Sequence, residues 1–357
     1  MKKKLLAGLT IGLFIFGMVG MAQATSYDQY INSVIAAADA LVAAQNTDGS
    51  FDWQNDGNPG TSGSINTQGA TARGLVSAFK KTGNADYLAA ANKTANWIIT
   101  NNPTGMYNKD IEFLYELEAA GGNNHTAVAA ASAITYINDK IASTGEDNGA
   151  DAVYMRYKDI NWVASAGTLD GLKYWMIGEW GDVGRLLGDT VIYDTYTGYD
   201  MAQDIGTLLS ADFLTYKPGV VDPYDSYSTL GYVGILEAID AGIDSGGTYS
   251  NTQDVIDLLS NRVEDGTGTG GWQSLGYATY ALSLFDDPSS LTGRDTLAAW
   301  VNGGSFDTGT GAYLEGMGEA LLGLSSAAAP VPEPATMLLL GTGLIGLAVF
   351  RKKKFRK

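Results

Sequence analysis

Carboxylates and aromatic rings supply the chemistry open to this chain. Acids gather at Asp52 and Asp56, Asp110 and Glu112, Asp170, Asp222 and Asp225, and Asp307 and Glu315. Two carboxyl groups about 5 to 9 Å apart can cleave a glycosidic bond, one protonating the leaving oxygen while the other activates water or attacks. Asp52 and Asp110 occupy equivalent places in adjacent helical units and form the candidate catalytic pair. The same acids have a simpler use, because carboxylates near helix starts cap free amides and favour the helix dipole. Trp53, Tyr107, Trp175, Trp180, Tyr224, Tyr227, Trp272 and Tyr313 cluster beside them. A sugar's C–H face packs on such rings while their polar tips stay wet. Trp53, Trp175, Tyr224 and Trp272 are therefore candidate ligand-binding residues, with filling of the fold's centre as the alternative.

Other chemistries are closed. There is no cysteine, and His125 is the only histidine, so thiol nucleophiles, zinc–thiolate sites, histidine triads and multi-histidine metal sites are excluded. No metal or other cofactor is expected. The one cation the residues would suit is Ca2+, on the alternating oxygens of Asp48, Ser50 and Asp52 followed by Asn55, Asp56 and Asn58. Asx-turns explain those residues equally. Between residues 25 and 330 the chain holds 13 basic against 38 acidic residues, a net charge of −25. Such a surface repels nucleic acid and anionic lipid, so nucleic acid is excluded as a partner.

The elements that position these groups are helices. Ile31, Val34, Ile35, Ala38, Leu41 and Val42 fall three and four apart, the spacing of one apolar face. Residues 66–81 are instead small or apolar almost all round, as in a buried helix. The alternation continues. Outer, one-sided helices are expected around Leu88 to Ile98, Val128 to Ile141, Met201 to Phe213, Thr252 to Val263 and Leu291 to Val301. Inner ones are expected at Lys109 to Ala119, Leu169 to Leu187, Tyr227 to Ala241, Trp272 to Phe285 and Gly311 to Leu324. Glu146, Asp147 and Asp151 are expected in a loop.

These make twelve helices in six pairs, about 50 residues apart. An interior glycine costs a helix about 1 kcal/mol, so the glycines of the inner helices imply close helix–helix approach. Gly49-Ser50-Phe51-Asp52 recurs as Gly304-Ser305-Phe306-Asp307, more loosely as Gly270-Gly271-Trp272. An all-α fold follows, an α/α toroid of about six helical hairpins over residues 25–328; an open solenoid is the rival.

Both ends are addresses. Lys2, Lys3 and Lys4 precede an apolar stretch from Leu5 to Val19, and Ala22-Gln23-Ala24 forms a small-residue cleavage site. Residues 1–24 are thus expected to be a signal peptide, with signal peptidase as a partner. At the other end, Val331-Pro332-Glu333-Pro334 leads into 16 uncharged residues, Ala335 to Phe350, and a basic run that includes Arg351, Lys352, Lys353 and Lys354. A stretch a little short of about 20 residues spans a bilayer thinly, and the basic end stays on the cytoplasmic side.

Pro332-Glu333-Pro334, the span and the basic cluster together resemble the PEP-CTERM sorting signal, here residues 329–357. The resemblance implies recognition by an exosortase, cleavage near Pro332 to Pro334, transient anchoring in the inner membrane, and export to the envelope or extracellular matrix of a Gram-negative bacterium that makes extracellular polysaccharide. Within the body, Gln45 to Phe51 resembles the Q-x-x-x-G-x-W repeat of squalene-type cyclases, prenyltransferases and complement thioester domains, with Phe51 in the tryptophan position. No Asp-x-Asp-Asp motif and no cysteine is present, which removes the activities of those relatives. The architecture that remains resembles six-hairpin glycosidases and polysaccharide lyases, whose grooves hold sugar at the inner-helix mouths. The expected function is that of a non-catalytic matrix or carbohydrate-binding protein associated with extracellular polysaccharide; a polysaccharide hydrolase or lyase is the alternative.

Overall fold

A computed structural model describes residues 29–60, 62–158, 170–213 and 225–327. The expected signal peptide, Tyr224, Asp222, the sorting motif, the span over 335–350 and the basic end lie outside these residues. Among the described residues no helix is long and apolar enough to cross a membrane.

The described chain is mostly helical, with thirteen α-helices. They are α1 (29–44), α2 (Gln68–Thr82), α3 (Ala85–Asn101), α4 (Asn108–Ala119), α5 (Thr126–Thr144), α6 (Gly149–Lys158), α7 (Asp170–Leu187), α8 (Gly198–Phe213), α9 (Asp225–Asp244), α10 (Thr252–Asp265), α11 (Trp272–Leu284), α12 (Ser289–Asn302) and α13 (Leu314–Ser326). A two-stranded hairpin, β1 (Val191–Tyr193) and β2 (Tyr196–Thr197), joins α7 to α8. Two features depart from expectation. The hairpin is one, and α6 is the other: Asp151 sits in that helix, not in a loop, because Asn148 Oδ1 caps it by accepting from Asp151 N at 2.9 Å.

Burial divides the helices as their patterns predict. Almost every residue from Gln68 to Ala78 of α2 and from Gly316 to Ser325 of α13 is buried. In α10 only Val255, Ile256, Leu259 and Val263 are, one stripe on an otherwise wet helix. The buried helices pack in sequence, α2 on α4, α4 on α7, α7 on α9, α9 on α11 and α11 on α13, and α13 packs back on α2. The one-sided helices flank them: α3 lies on α2, α5 on α4, α8 on α7 and α9, α10 on α9 and α12 on α11.

Glycine sets the spacing where these helices touch. A Cβ on Gly178 would lie 2.0 Å from the Gly234 carbonyl oxygen, and one on Gly323 would lie 2.1 Å from that of Gly276. No side chain fits there, which is the gain that offsets the helix cost of glycine.

The repeated loops before α2 and α13 are bound to each other. Asn55 N donates to Ala312 O at 2.9 Å, Gly311 N to Asn55 O at 2.6 Å and Leu314 N to Trp53 O at 3.2 Å. Gln45 Nε2 ties the first loop to the middle of α3, donating to Gly49 O and to Ala90 O. The Gln68 side chain clamps Phe51 through both backbone groups, at 2.8 and 2.7 Å. Gln45, Gln68 and Phe51 thus hold the loop in place.

Candidate functional site

The buried helices bring together a set of charges drawn from most of them. α4 carries Lys109, Glu112 and Glu116, three and four residues apart and so on one face; α2 adds Arg73, α7 Glu179, α9 Glu237, α11 Tyr277 and Tyr280, and α13 Glu315 and Glu319. Arg73 Nη1 lies 2.5 Å from Glu112, and its Nη2 lies 2.8 Å from Glu116. Lys109 Nζ reaches Glu179 at 3.0 Å, Glu112 at 3.2 Å and Glu237 at 3.8 Å.

Two cations thus face four carboxylates, Glu112, Glu116, Glu179 and Glu237, while Glu319 forms an ion pair with neither. Glu237 and Glu319 are 0% exposed, and neither accepts a hydrogen bond on either oxygen. Tyr277 Oη and Gln273 lie beside Glu319 without reaching hydrogen-bond geometry. Isolated buried carboxylates are costly, so the group takes up a proton instead. Burial pushes Glu237 up to about 8 in spite of Lys109. Burial also drives Glu179 and Glu319 well above the carboxylate range, Glu319 being raised further by Glu315. Glu116 goes the other way: burial raises it, but the Arg73 guanidinium outweighs that and holds it low.

Nearer the starts of the same helices a second group opens to solvent. Asp110, at the third position of α4, is buried and accepts from Gly69 N at 2.8 Å and from Tyr107 N at 3.3 Å. Burial raises it to about 7 against those two bonds, and the charge of Glu315 adds to the rise. Glu315 is only partly buried and accepts from Tyr313 Oη at 2.7 Å. Desolvation lifts it to about 7 although Tyr313, Lys109 and Trp53 pull it down. Gln273 Nε2 donates to the Tyr313 oxygen at 3.1 Å, and Trp53 stands edge-on to Tyr313 at 6.0 Å. A pocket of about 200 Å³ adjoins this network, walled by Tyr227, Leu230, Trp272, Gln273, Tyr313 and Met317.

The expected residues divide by place. Trp53, half exposed, stands beside the pocket and Trp272 lines it. Asp110 belongs to the acidic network below. Trp175 is buried and packs edge-on to Tyr277 at 5.3 Å, inside the fold instead of at the opening. Asp52 accepts from Asn46 Nδ2 at 3.1 Å within its own loop; the acid whose charge Asp110 feels is Glu315. In the loop expected to suit Ca2+, Asp48 accepts from Ser50 N and from Trp97 Nε1, while Asp56 accepts from Asn58 N. Among the described residues no three acidic or histidine side chains are grouped to hold a metal ion. His125 precedes α5, its Nε2 3.3 Å from Asn96 Oδ1.

Sequence reasoning missed Arg73, Lys109, Glu179, Glu237, Tyr277 and Glu319. Except for Lys109, whose helix α4 holds no glycine and is rich in acids, each is a polar residue inside an otherwise small or apolar, glycine-bearing helix, which marks it as buried without telling which residues it meets.

Comparison with known proteins concerns the other end of the chain. Residues 330–354 match the PEP-CTERM protein-sorting motif. That motif marks an exported protein of the cell envelope, processed by an exosortase. No curated protein and no solved structure matches the chain.

Proposed function

We propose that the body is a closed α/α toroid whose mouth binds a saccharide, and that export delivers it to extracellular polysaccharide at the surface of a Gram-negative bacterium. The closed ring is supported by the packing of α13 back on α2 and by the hydrogen bonds between the loops before them. Signal peptidase acts after Ala24, the 335–350 segment holds the chain in the membrane, and the exosortase cuts near Pro332 to Pro334.

The observation that carries saccharide binding is the pocket itself. Trp272, Tyr227 and Tyr313 wall it with apolar faces, Trp53 stands half exposed beside it, and Gln273, Tyr313 and Glu315 supply converging polar groups. Ligand pockets combine these two ingredients. Trp272→Ala is expected to weaken binding of the producing organism's polysaccharide by about tenfold or more while the helical circular dichroism persists. Undiminished binding by that variant rejects the mouth as the site.

One observation favours a second reading, glycosidic cleavage. Burial raises both Asp110 and Glu315 to about 7, and the charge of Glu315 adds to the rise at Asp110, as between a general acid and its partner carboxylate. Glu315 takes the place that spacing gave to Asp52, because Asp52 is engaged within its own loop. Reducing-end release by the unaltered protein, abolished in Glu315→Gln with binding retained, would establish the enzyme; no turnover leaves the binding protein.

A further inference from the structure

Resting on the saccharide reading above, we propose that this mouth selects an amino sugar, a saccharide carrying a free protonated amine, over N-acetylated and uronic saccharides. The wall of the pocket is aromatic, and the groups that stand behind two of its wall residues are acidic. Tyr313 and Gln273 line the pocket and lead from it to Glu315 and Glu319, which lie one helical turn apart on α13. Glu319 is fully buried with both oxygens unpartnered, and the Tyr277 hydroxyl beside it is buried and unpartnered as well. Lys109, held by Glu112, Glu179 and Glu237, tempers Glu315 by its charge but forms no ion pair with Glu319, and Arg73 is held by Glu112 and Glu116.

An ammonium group carries three donors and no acceptor. That inventory complements Glu315, Glu319 and the Tyr277 oxygen, and a buried charge is tolerated where it is paired. An N-acetyl group brings no cation to displace the proton these acids hold, and a uronate brings only a further acid. The elevated protonation of Glu315 and Glu319 agrees with this, for carboxyls that lack a cation hold a proton until one arrives.

The test titrates the full-length protein in detergent micelles with equal-length oligomers of glucosamine, N-acetylglucosamine and galacturonic acid, at mildly acidic pH, following tryptophan fluorescence. Glucosamine oligomer is expected to bind at least about tenfold more tightly than either of the others. Glu319→Gln should bring that preference to within about threefold while the helical signal and the binding of N-acetylglucosamine oligomer persist. Should that variant not fold, Glu315→Gln is expected to show the same loss. Equal or tighter binding of the N-acetylated oligomer, or a preference that survives both substitutions, overturns the amino-sugar assignment and leaves saccharide binding standing. Binding of none of the oligomers, nor of the organism's own polysaccharide, removes the saccharide reading itself.

Discussion

The acids beside the pocket, Asp110 and Glu315 at the proposed mouth, and those around Lys109 deeper in the helical body, its waist, are the same residue types and solve opposite problems. At the waist, Glu112, Glu179 and Glu237 surround one lysine, all of them buried, and burial is the largest influence on each acid. At the mouth, Glu315 and Asp110 keep hydrogen-bond donors of their own, Tyr313 for one and two backbone amides for the other. Both stand near 7, whereas at the waist Glu237 stands at about 8 and Glu179 is driven well above the carboxylate range. A carboxyl with a local donor and partial solvent can change charge when a ligand comes. One locked among other acids serves the fold or an incoming cation.

The largest expected effect breaks the waist. Lys109→Met leaves three glutamates around an apolar side chain and should cost about 3–5 kcal/mol of unfolding free energy, read by urea denaturation at neutral pH. A loss below about 1 kcal/mol would mean that Glu112 is neutral as well and that the cluster needs no counter-ion.

Next in size is the pH dependence. Glu237 is raised to about 8 in the folded chain, from a reference value of 4.5. Its proton is therefore bound in the folded and lost in the unfolded chain across that interval. The stability it contributes is complete below about 4.5 and is lost as pH rises through about 8, by at most about 1.4 kcal/mol per pH unit. Glu237→Gln should flatten that part of the stability curve, as measured by urea midpoints at successive pH values. An unchanged slope would assign the dependence to other acids.

At the mouth, Tyr313→Phe removes the donor that holds Glu315 down. The Glu315 carboxyl should then titrate above about 7, with a stability change of about 1 kcal/mol. Carbon-13 NMR of the labelled carboxyl reads the shift directly. A Glu315 that titrates lower in the variant would contradict the hydrogen bond.

Much of the helical frame was legible because periodicity reports it directly. The stripe of α10 and the glycine-rich stretches of α2 and α13 differ in kind, and burial follows that difference. α6 escaped because its cap, Asn148 with Asp151, sits in a run of acids that also suits a loop. Of the expected site residues, Trp272 lines the pocket, Trp53 packs on its Tyr313 wall and Asp110 feels the charge of Glu315. These three could be picked out because acids and aromatics at helix starts can be counted along the chain. Glu319 and Glu237 could not, because nothing local tells which face of an all-round buried helix meets other acids. That depends on the register between helices, which the glycine contacts of Gly178 with Gly234 and of Gly323 with Gly276 fix only after the chain has folded.

The smallest effect on stability belongs to Trp53→Ala, and it tests whether the mouth is free to do work. Trp53 is 51% exposed, and its ring contact is the edge-on one with Tyr313 at 6.0 Å. Losing such a pair costs about 0.5–1 kcal/mol, and little apolar burial goes with it. By contrast, the indole stands beside the pocket and the Tyr313–Glu315 pair, so a ligand seated there loses a stacking face worth far more to it than to the fold. Trp53→Ala should leave the urea midpoint nearly unchanged and lower saccharide affinity by about tenfold, as followed by calorimetry. A variant that loses stability while keeping affinity would make Trp53 a structural closure between the first and last loops, and would leave the rings around Trp272 as the whole of the binding wall.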